Sequence, residues 1–285
     1  GQFSPTTLQR IASSSEQVQQ IVDSDEVVYG INTGFGPLCT TVISPSQATK
    51  LQQNILMSHA VGIGDPIDDQ LVRLMLVSKI HSLAQGYSGI TVTTLQRLMW
   101  HLDNDVLPIV PEQGSVGASG DLAPLSHLFL PLIGLGKVRH QGNLMDASTC
   151  LSAFKLSPIP LAPKEGLALI NGTQFILAHA TLLVEKMGTL LDQEDLICAM
   201  MIEGLLGSTK PLDERLHAVR PYAGTQHTAA RIRLLLDQSE IVHSHATCAR
   251  VQDPYSLRCA PQVHGASREA WLHLRRMVET ELNGV

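Results

Sequence analysis

Aromatic residues are scarce in this chain of 285: five Phe, four Tyr and two Trp, 4% in all. Sheets draw on aromatic and β-branched side chains, so the shortage disfavours a large β-sandwich or barrel. Charge is thin as well. Asp, Glu, Lys and Arg together make 16%, the net charge is −6 and no basic block occurs, which removes the electrostatic footprint of a nucleic-acid partner. No uninterrupted apolar run reaches the roughly 18 residues that span a bilayer, and no secretory signal opens the chain. The expectation is a cytoplasmic protein without a membrane partner. Cysteine occurs five times (positions 39, 150, 198, 248 and 259), an odd number without CxxC spacing; reduced thiols fit this better than a disulfide framework or a zinc ribbon. Repeats of roughly 20–50 residues and low-complexity linkers are also missing, and residues 1–285 read as a single unit.

What is present favours helix. Hydrophobic residues make up 44%, enough for a sizeable core, and Leu, Ala, Gln and Met are plentiful. Ser44-Pro45-Ser46 has the chemistry of a helix start, and Leu51, Ile55, Leu56 and Ala60 follow at three-to-four spacing. A second helix is expected from Pro66 through Leu71, Leu74, Met75, Ile80 and Leu83 to Gly86, and a third over Thr91 to His101. Asp121 to Leu135 reads as a helix with a broad apolar face, residues 138–163 as a small β-ribbon plus a helix near Ala147–Phe154, and residues 173–206 as one long helix. Further helices are expected at 224–237 and 262–283, and residues 25–45, rich in Gly, Thr and Pro, read as an irregular loop. The fold class is mainly α. Histidine is enriched, with twelve copies, but its one dense cluster, His243-Ser-His245 with Cys248, lacks the i, i+4 pairing of a zinc hydrolase, and no metal is expected.

The segment Gly114-Ser-Val-Gly-Ala-Ser-Gly-Asp-Leu-Ala-Pro124 carries a chemistry of its own. If the backbone nitrogen of Gly120 attacks the carbonyl of Ala118, a five-membered ring closes and water leaves. Loss of the Ser119 hydroxyl then gives 4-methylidene-imidazol-5-one, an electrophile built from main chain. Gly120 lacks a Cβ and can adopt the backbone shape this requires; Ser119 supplies the β-hydroxyl, and Ala118 is small enough for a tight loop. A bare Ala-Ser-Gly is also an ordinary turn sequence. The surrounding eleven residues make it specific.

Four other segments accompany it: Tyr29-Gly-Ile-Asn-Thr-Gly-Phe-Gly36, Asn54-Ile-Leu-Met-Ser-His-Ala-Val-Gly-Ile-Gly64, Glu165-Gly-Leu-Ala-Leu-Ile-Asn-Gly-Thr-Gln174 and Val251-Gln-Asp-Pro-Tyr-Ser-Leu-Arg258. In this order and over nearly the whole chain, they resemble the aromatic amino acid ammonia-lyases, the family acting on histidine, phenylalanine and tyrosine. The resemblance implies the ammonia-lyase/fumarase-like helical fold. It also implies a methylidene-imidazolone formed from Ala118, Ser119 and Gly120, with no metal.

Residue roles follow from the same resemblance. Elimination of ammonia needs an electrophile to make the amine leave and a base for the β-hydrogen. Tyr29 corresponds to the family's base; a phenol ordinarily titrates at about 10, so the role asks for positive potential nearby, and packing against the glycine turn is the other reading of this tyrosine. Arg258 corresponds to the carboxylate-binding arginine, whose planar fork suits a bidentate grip; an internal ion pair is the alternative. Tyr255, one helical turn earlier, reaches the same place. Asn171 and Gln252 match amides that line the pocket, although either could cap a helix. Ser58-His59 matches the histidine enzymes of the family, where phenylalanine enzymes resemble Phe-Leu and tyrosine enzymes His-Leu. An imidazole there can pair with a substrate imidazole, whose nitrogens would each cost about 1–3 kcal/mol if left unpaired; a satisfied core histidine is the plain alternative.

The resemblance covers about the first half of the family's length. The helices at the centre of the family's homotetramer and the pocket glutamate lie in the second half, so the expected fold is truncated before much of the central bundle. The expected activity is conversion of L-histidine to trans-urocanate and ammonia in histidine catabolism, either in a homo-oligomer or with a separate C-terminal chain. A lyase or aminomutase for tyrosine or a modified histidine is the alternative within the class. A half-length structural or regulatory subunit is the alternative outside it.

Overall fold

Helix starts in this protein follow cap chemistry. In the computed structural model, which describes residues 1–24, 26–36, 41–117 and 120–285 (backbone alone at 45–46), α1 (Pro5–Val22) opens where the Ser4 hydroxyl accepts from the Thr7 amide. After α2 (Pro45–His59) and β1 (Ile63–Pro66), Asp68 accepts from the Gln70 amide to start α3 (Asp69–Ala84), and Thr91 from the Thr94 amide to start α4 (Val92–Asp103). Each such cap satisfies a first-turn donor that the helix itself leaves unpaired. The expected helix start at Pro66 is therefore displaced. Pro66 lies in β1, antiparallel to β3 (Pro111–Gln113), and the chain turns helical only at Asp69. Helix α1 was not signalled by periodicity; its buried residues are only Ile11, Val18 and Val22.

By its internal contacts the chain forms two units, residues 1–179 with 281–285, and residues 180–280. In the first, α3 packs on α4 and α1, and Met75, Leu76 and Leu83 of α3 and Leu95 and Leu98 of α4 are all essentially inaccessible. A three-stranded antiparallel ribbon joins β2 (Leu107–Pro108), β4 (Lys137–His140) and β5 (Asn143–Asp146). Between them α5 (Leu122–Phe129) passes into a 3-10 turn over Leu130–Ile133 that ends on Gly134, in the left-handed region. The expected helix over 121–135 is thus shorter and tightened at its end. Then follow α6 (Ala147–Ala153) and α7 (Glu165–Ile170). Glu165, fully buried, accepts from the Thr91 amide and hydroxyl at 2.8 Å and the Ala162 amide at 2.7 Å, tying α7 to the start of α4.

The long helix α8 (Gln174–Gly204) is followed in the second unit by α9 (Glu214–Ala218), α10 (Ala223–Leu235), α11 (Glu240–Ser244), α12 (Tyr255–Arg258) and α13 (Ala260–Leu282). Cys198, Ala199, Ile202, Leu212, Ile232 and Leu257 form an apolar cluster in this unit. A polar hub accompanies it: the buried Asp195 carboxylate accepts from Arg268 at 2.9 Å and contacts His264 Nδ1 at 3.0 Å. The helical stretch 165–204 holds an 18-residue window of mean hydropathy 1.6, 33% of it buried. By length and composition it is apolar enough to cross a bilayer, as core helices also are. The expectation from uninterrupted apolar runs overlooked it.

Candidate active site

Ala118 and Ser119 lie outside the described residues; Gly120 and the residues around it are described. Gly120 takes φ of +101°, and a Cβ there would lie 2.5 Å from the Gly172 carbonyl oxygen. Only glycine fits that backbone shape and that approach. The same carbonyl accepts from the Asp121 amide at 2.7 Å. The Asp121 carboxylate, fully buried, accepts from Ser115 Oγ at 2.6 Å through one oxygen and from the Ile176 amide at 3.0 Å through the other. Ser115 and Asp121 thus clasp the two ends of the Ala-Ser-Gly segment, and the clasp is anchored on the N-terminus of α8, where a carboxylate meets the positive end of the helix dipole.

Helices α2, α5 and α7 pack on one another, which brings three of the motifs to one place. The Gln52 side-chain oxygen accepts from the Gly166 amide at 2.9 Å, joining α2 to α7. His127 Nε2 accepts from the Gly62 amide at 3.0 Å, joining α5 to the turn after α2; burial lowers the His127 pKa, in keeping with a neutral acceptor. The fourth motif joins them at Gly30, with φ +77° and room for no Cβ because Leu167 Cδ2 would be 2.5 Å away.

On this scaffold Tyr29 is 56% exposed, its ring edge-on to Phe35 and its oxygen accepting from the Gly36 amide at 3.4 Å. His59 is half-buried at the end of α2, its Nδ1 2.9 Å from the Ile55 carbonyl and 3.0 Å from Ser58 Oγ. Donation from Nδ1 to that carbonyl leaves Nε2 of the neutral ring as an acceptor. Asn171 is the C-cap of α7. Its carbonyl accepts from Lys79 Nζ at 2.9 Å, and with Gly172, Thr173 and Gln174 it lines a cleft of 420 Å³.

The remaining candidates belong to the second unit. Arg258 closes the single turn of α12 and stacks over the Tyr255 ring, 4.1 Å from guanidinium carbon to ring centre, a cation–π contact. With its amide oxygen turned to the guanidinium, Gln252 accepts from Arg258 Nε at 2.6 Å and Nη1 at 2.9 Å. Among the described residues no carboxylate pairs with Arg258, so it is held by neutral groups at the edge of a 320 Å³ cleft that also includes Lys210, His243, His245 and Arg250. The neighbouring Asp253 is otherwise engaged. Burial pushes its carboxyl up, but the Ser208 amide and Arg250 outweigh that and hold it below the usual range. His245 contacts the carbonyls of Ile241 and Gly207, and His243 that of Ser239. Among the described residues, those within metal-ligand reach of one another are instead Asp192, Asp195 and His227, whose carboxylates Arg268 already engages.

Comparison with known proteins gives the family. The family profile described as aromatic amino acid lyase matches residues 1–285. The chain belongs to the aromatic amino acid lyase family. It is 47% identical to histidine ammonia-lyase of Myxococcus xanthus over 282 residues, covering 99% of this chain and 56% of that protein. It is 46% identical to histidine ammonia-lyase of Bos taurus, covering 99% and 44%. Among solved structures it superposes on histidine ammonia-lyase from Trypanosoma cruzi with a TM-score of 0.87 at 39% identity (99% and 52% covered). Against the phenylalanine aminomutase of Pantoea agglomerans the TM-score is 0.94 at 29% identity (99% and 58% covered). The chain thus spans about half the length of these members of the family.

Several residues around the candidate site were not singled out from sequence: Ser115, the carboxylate of Asp121, Gly172, Gln52 and Lys79. Apart from Ser115, which bonds Asp121 six residues on, they have partners far off in the chain, 114 residues away in the case of Gln52 and Gly166. Lys79 alone left a local trace, since it sits on the same helix face as Val72, Met75, Leu76 and Leu83, a place for an apolar side chain.

Proposed function

We propose that the chain carries the electrophile-forming part of a histidine ammonia-lyase, which removes ammonia from L-histidine to give trans-urocanate. The observation that carries this is the cradle at Gly120. A positive φ, a Gly172 carbonyl where a Cβ would stand, and a clasp from Ser115 to Asp121 are what a main chain needs to be pressed into a ring. Once formed from Ala118, Ser119 and Gly120, the methylidene-imidazolone supplies an electrophile that draws electrons from the substrate and turns its amine into a leaving group.

The other side chains act on the substrate. Tyr29 is assigned as the base for the β-hydrogen, on a loop whose glycines permit it to close over substrate. Arg258, free of any carboxylate among the described residues, is assigned to grip the substrate carboxylate, with Gln252 and Tyr255 holding its plane. His59 sets the substrate: with Nδ1 committed to the Ile55 carbonyl, its Nε2 accepts the N–H of a substrate imidazole, and Ser58 backs the ring. Asn171, next to Gly172 in the chain, is assigned to contact the ring or the substrate.

Intact mass tests the first claim. Ring formation removes two waters, about 36 Da, and a chain at full mass would favour a structural or regulatory subunit instead. Urocanate absorbance on incubation with histidine, measured with and without a chain carrying the second half of a relative, tests the substrate. Ser119→Ala should lose both the mass deficit and turnover; normal turnover in that variant would refute the scheme.

A further inference from the structure

Lys79 is the one strongly buried amine whose place the scheme above leaves unexplained. It is 2% exposed, in the middle of α3 and among that helix's apolar contacts. Among the described residues no carboxylate pairs with it; its Nζ donates to the Asn171 carbonyl at 2.9 Å. Burial pulls its pKa from 10.5 down to about 7, so the fold disfavours the charge it carries. An apolar residue would serve packing better.

The Asn171 carbonyl leads directly to the cradle. It belongs to the Asn171–Gly172 peptide, and Gly172 packs on Gly120 through its backbone. Its carbonyl oxygen lies 2.5 Å, and its nitrogen 3.1 Å, from where a Gly120 Cβ would stand. The same carbonyl holds the Asp121 amide at 2.7 Å. The Lys79 bond to the Asn171 carbonyl therefore holds the turn whose next residue, Gly172, packs on Gly120 and accepts from the Asp121 amide.

We propose that Lys79 is a positioning residue for ring formation, holding the Asn171–Gly172 turn so that the Gly120 nitrogen is presented for closure. The inference rests on the ring-forming reading given above. Closure joins Gly120 N to the Ala118 carbonyl carbon. That carbonyl oxygen leaves as water with the amide hydrogens of Gly120 and Ser119, and Ser119 Oγ leaves as a second water with its hydroxyl hydrogen and the Ser119 Hα. No electrons are gained or lost, so geometry is what the protein must supply.

The test compares the purified protein with its Lys79→Met and Lys79→Gln variants by intact mass over time after refolding, with thermal unfolding measured alongside. Lys79→Met should fold with a midpoint no lower than the parent's, because it removes a buried amine, yet close the ring at least tenfold more slowly. Lys79→Gln, which keeps an N–H donor on a shorter, uncharged arm, should fall between the two. A folded Lys79→Met protein that loses both waters at the parent rate overturns the proposal. Should Lys79→Met fail to fold, Lys79→Gln decides: slowed closure supports the proposal, and closure at the parent rate overturns it. A parent protein at full mass overturns the ring-forming reading and this one with it, whereas two-water losses at equal rates in parent and Lys79→Met overturn this one alone.

Discussion

Replacing Asp121 by alanine separates the clasp around the Ala-Ser-Gly segment from the segment's own chemistry. The carboxylate is fully buried and satisfies two donors, Ser115 Oγ at 2.6 Å and the Ile176 amide at 3.0 Å. Truncation deletes both bonds, strands a half-buried hydroxyl and a helix N-terminal amide, and removes the anion that faces the dipole of α8. Hydrogen bonds to a charged group contribute about 1.5–3 kcal/mol each, so Asp121→Ala should cost about 3–5 kcal/mol. At roughly 2–4 °C per kcal/mol in chains of this size, the thermal midpoint should drop by ~10 °C. Asp121→Asn keeps the volume and one acceptor but turns an amide N–H toward the other partner, and should cost about half as much. Calorimetry gives the stability and intact mass the fraction of chains that have lost two waters. The alanine variant should show the larger loss in both. If it melted within a degree or two of the parent and carried the full mass deficit, the clasp would have no part in shaping the segment.

Acid should weaken the first unit through His101. Burial, aided by Arg97 and opposed by the Val106 carbonyl on Nδ1, lowers its pKa from 6.5 to about 4. The unfolded chain therefore takes up this proton first as pH falls. Stability from the neutral ring is complete above pH 6.5 and is lost toward pH 4, about 3 kcal/mol in all; His101→Gln should show a shallower decline in unfolding free energy across that window. Arg258→Lys exchanges a planar fork for a point charge and should raise KM for histidine by about one to two orders of magnitude, with the two-water deficit unchanged; an unaltered KM would remove Arg258 from the carboxylate site. His59→Leu should leave the ring intact and lower kcat/KM for histidine by roughly 5–150-fold, the equivalent of about 1–3 kcal/mol for an unpaired imidazole nitrogen. Equal turnover of histidine by that variant would reassign the specificity.

Periodicity carried the helices that bury a continuous stripe. The spacing of Leu71, Met75, Ile80 and Leu83 gave α3, and the long pattern from Phe175 to Met200 gave α8, because in both the apolar face repeats often enough to outweigh the interruptions. It misplaced the start of α3 because Pro66 suits a first helical turn and a strand end alike; the choice was made by Asp68, whose carboxylate caps the next turn, and by the pairing of β1 with β3. It passed over α1 because only Ile11, Val18 and Val22 are buried in its 18 residues, too sparse a stripe to read among its serines and glutamines.

The groups proposed to react could be named from sequence because ring closure restricts residue type at each atom: a β-hydroxyl at 119, no Cβ at 120. What presses them together could not, because it is tertiary. Gly120 is confronted by Gly172, Asp121 reaches Ile176, and α2 is tied to α7 through Gln52 and Gly166, contacts between segments that share no local pattern. Lys79 stands between these cases. A lysine on an apolar helix face breaks the local rule for that face, and the energy it sacrifices must be recovered by a contact elsewhere. Here that contact is the Asn171 carbonyl, 92 residues away. A charged residue out of place in an otherwise regular stripe thus marked one end of the tertiary link, and the glycine-bounded turn at Asn171-Gly172 supplied the other.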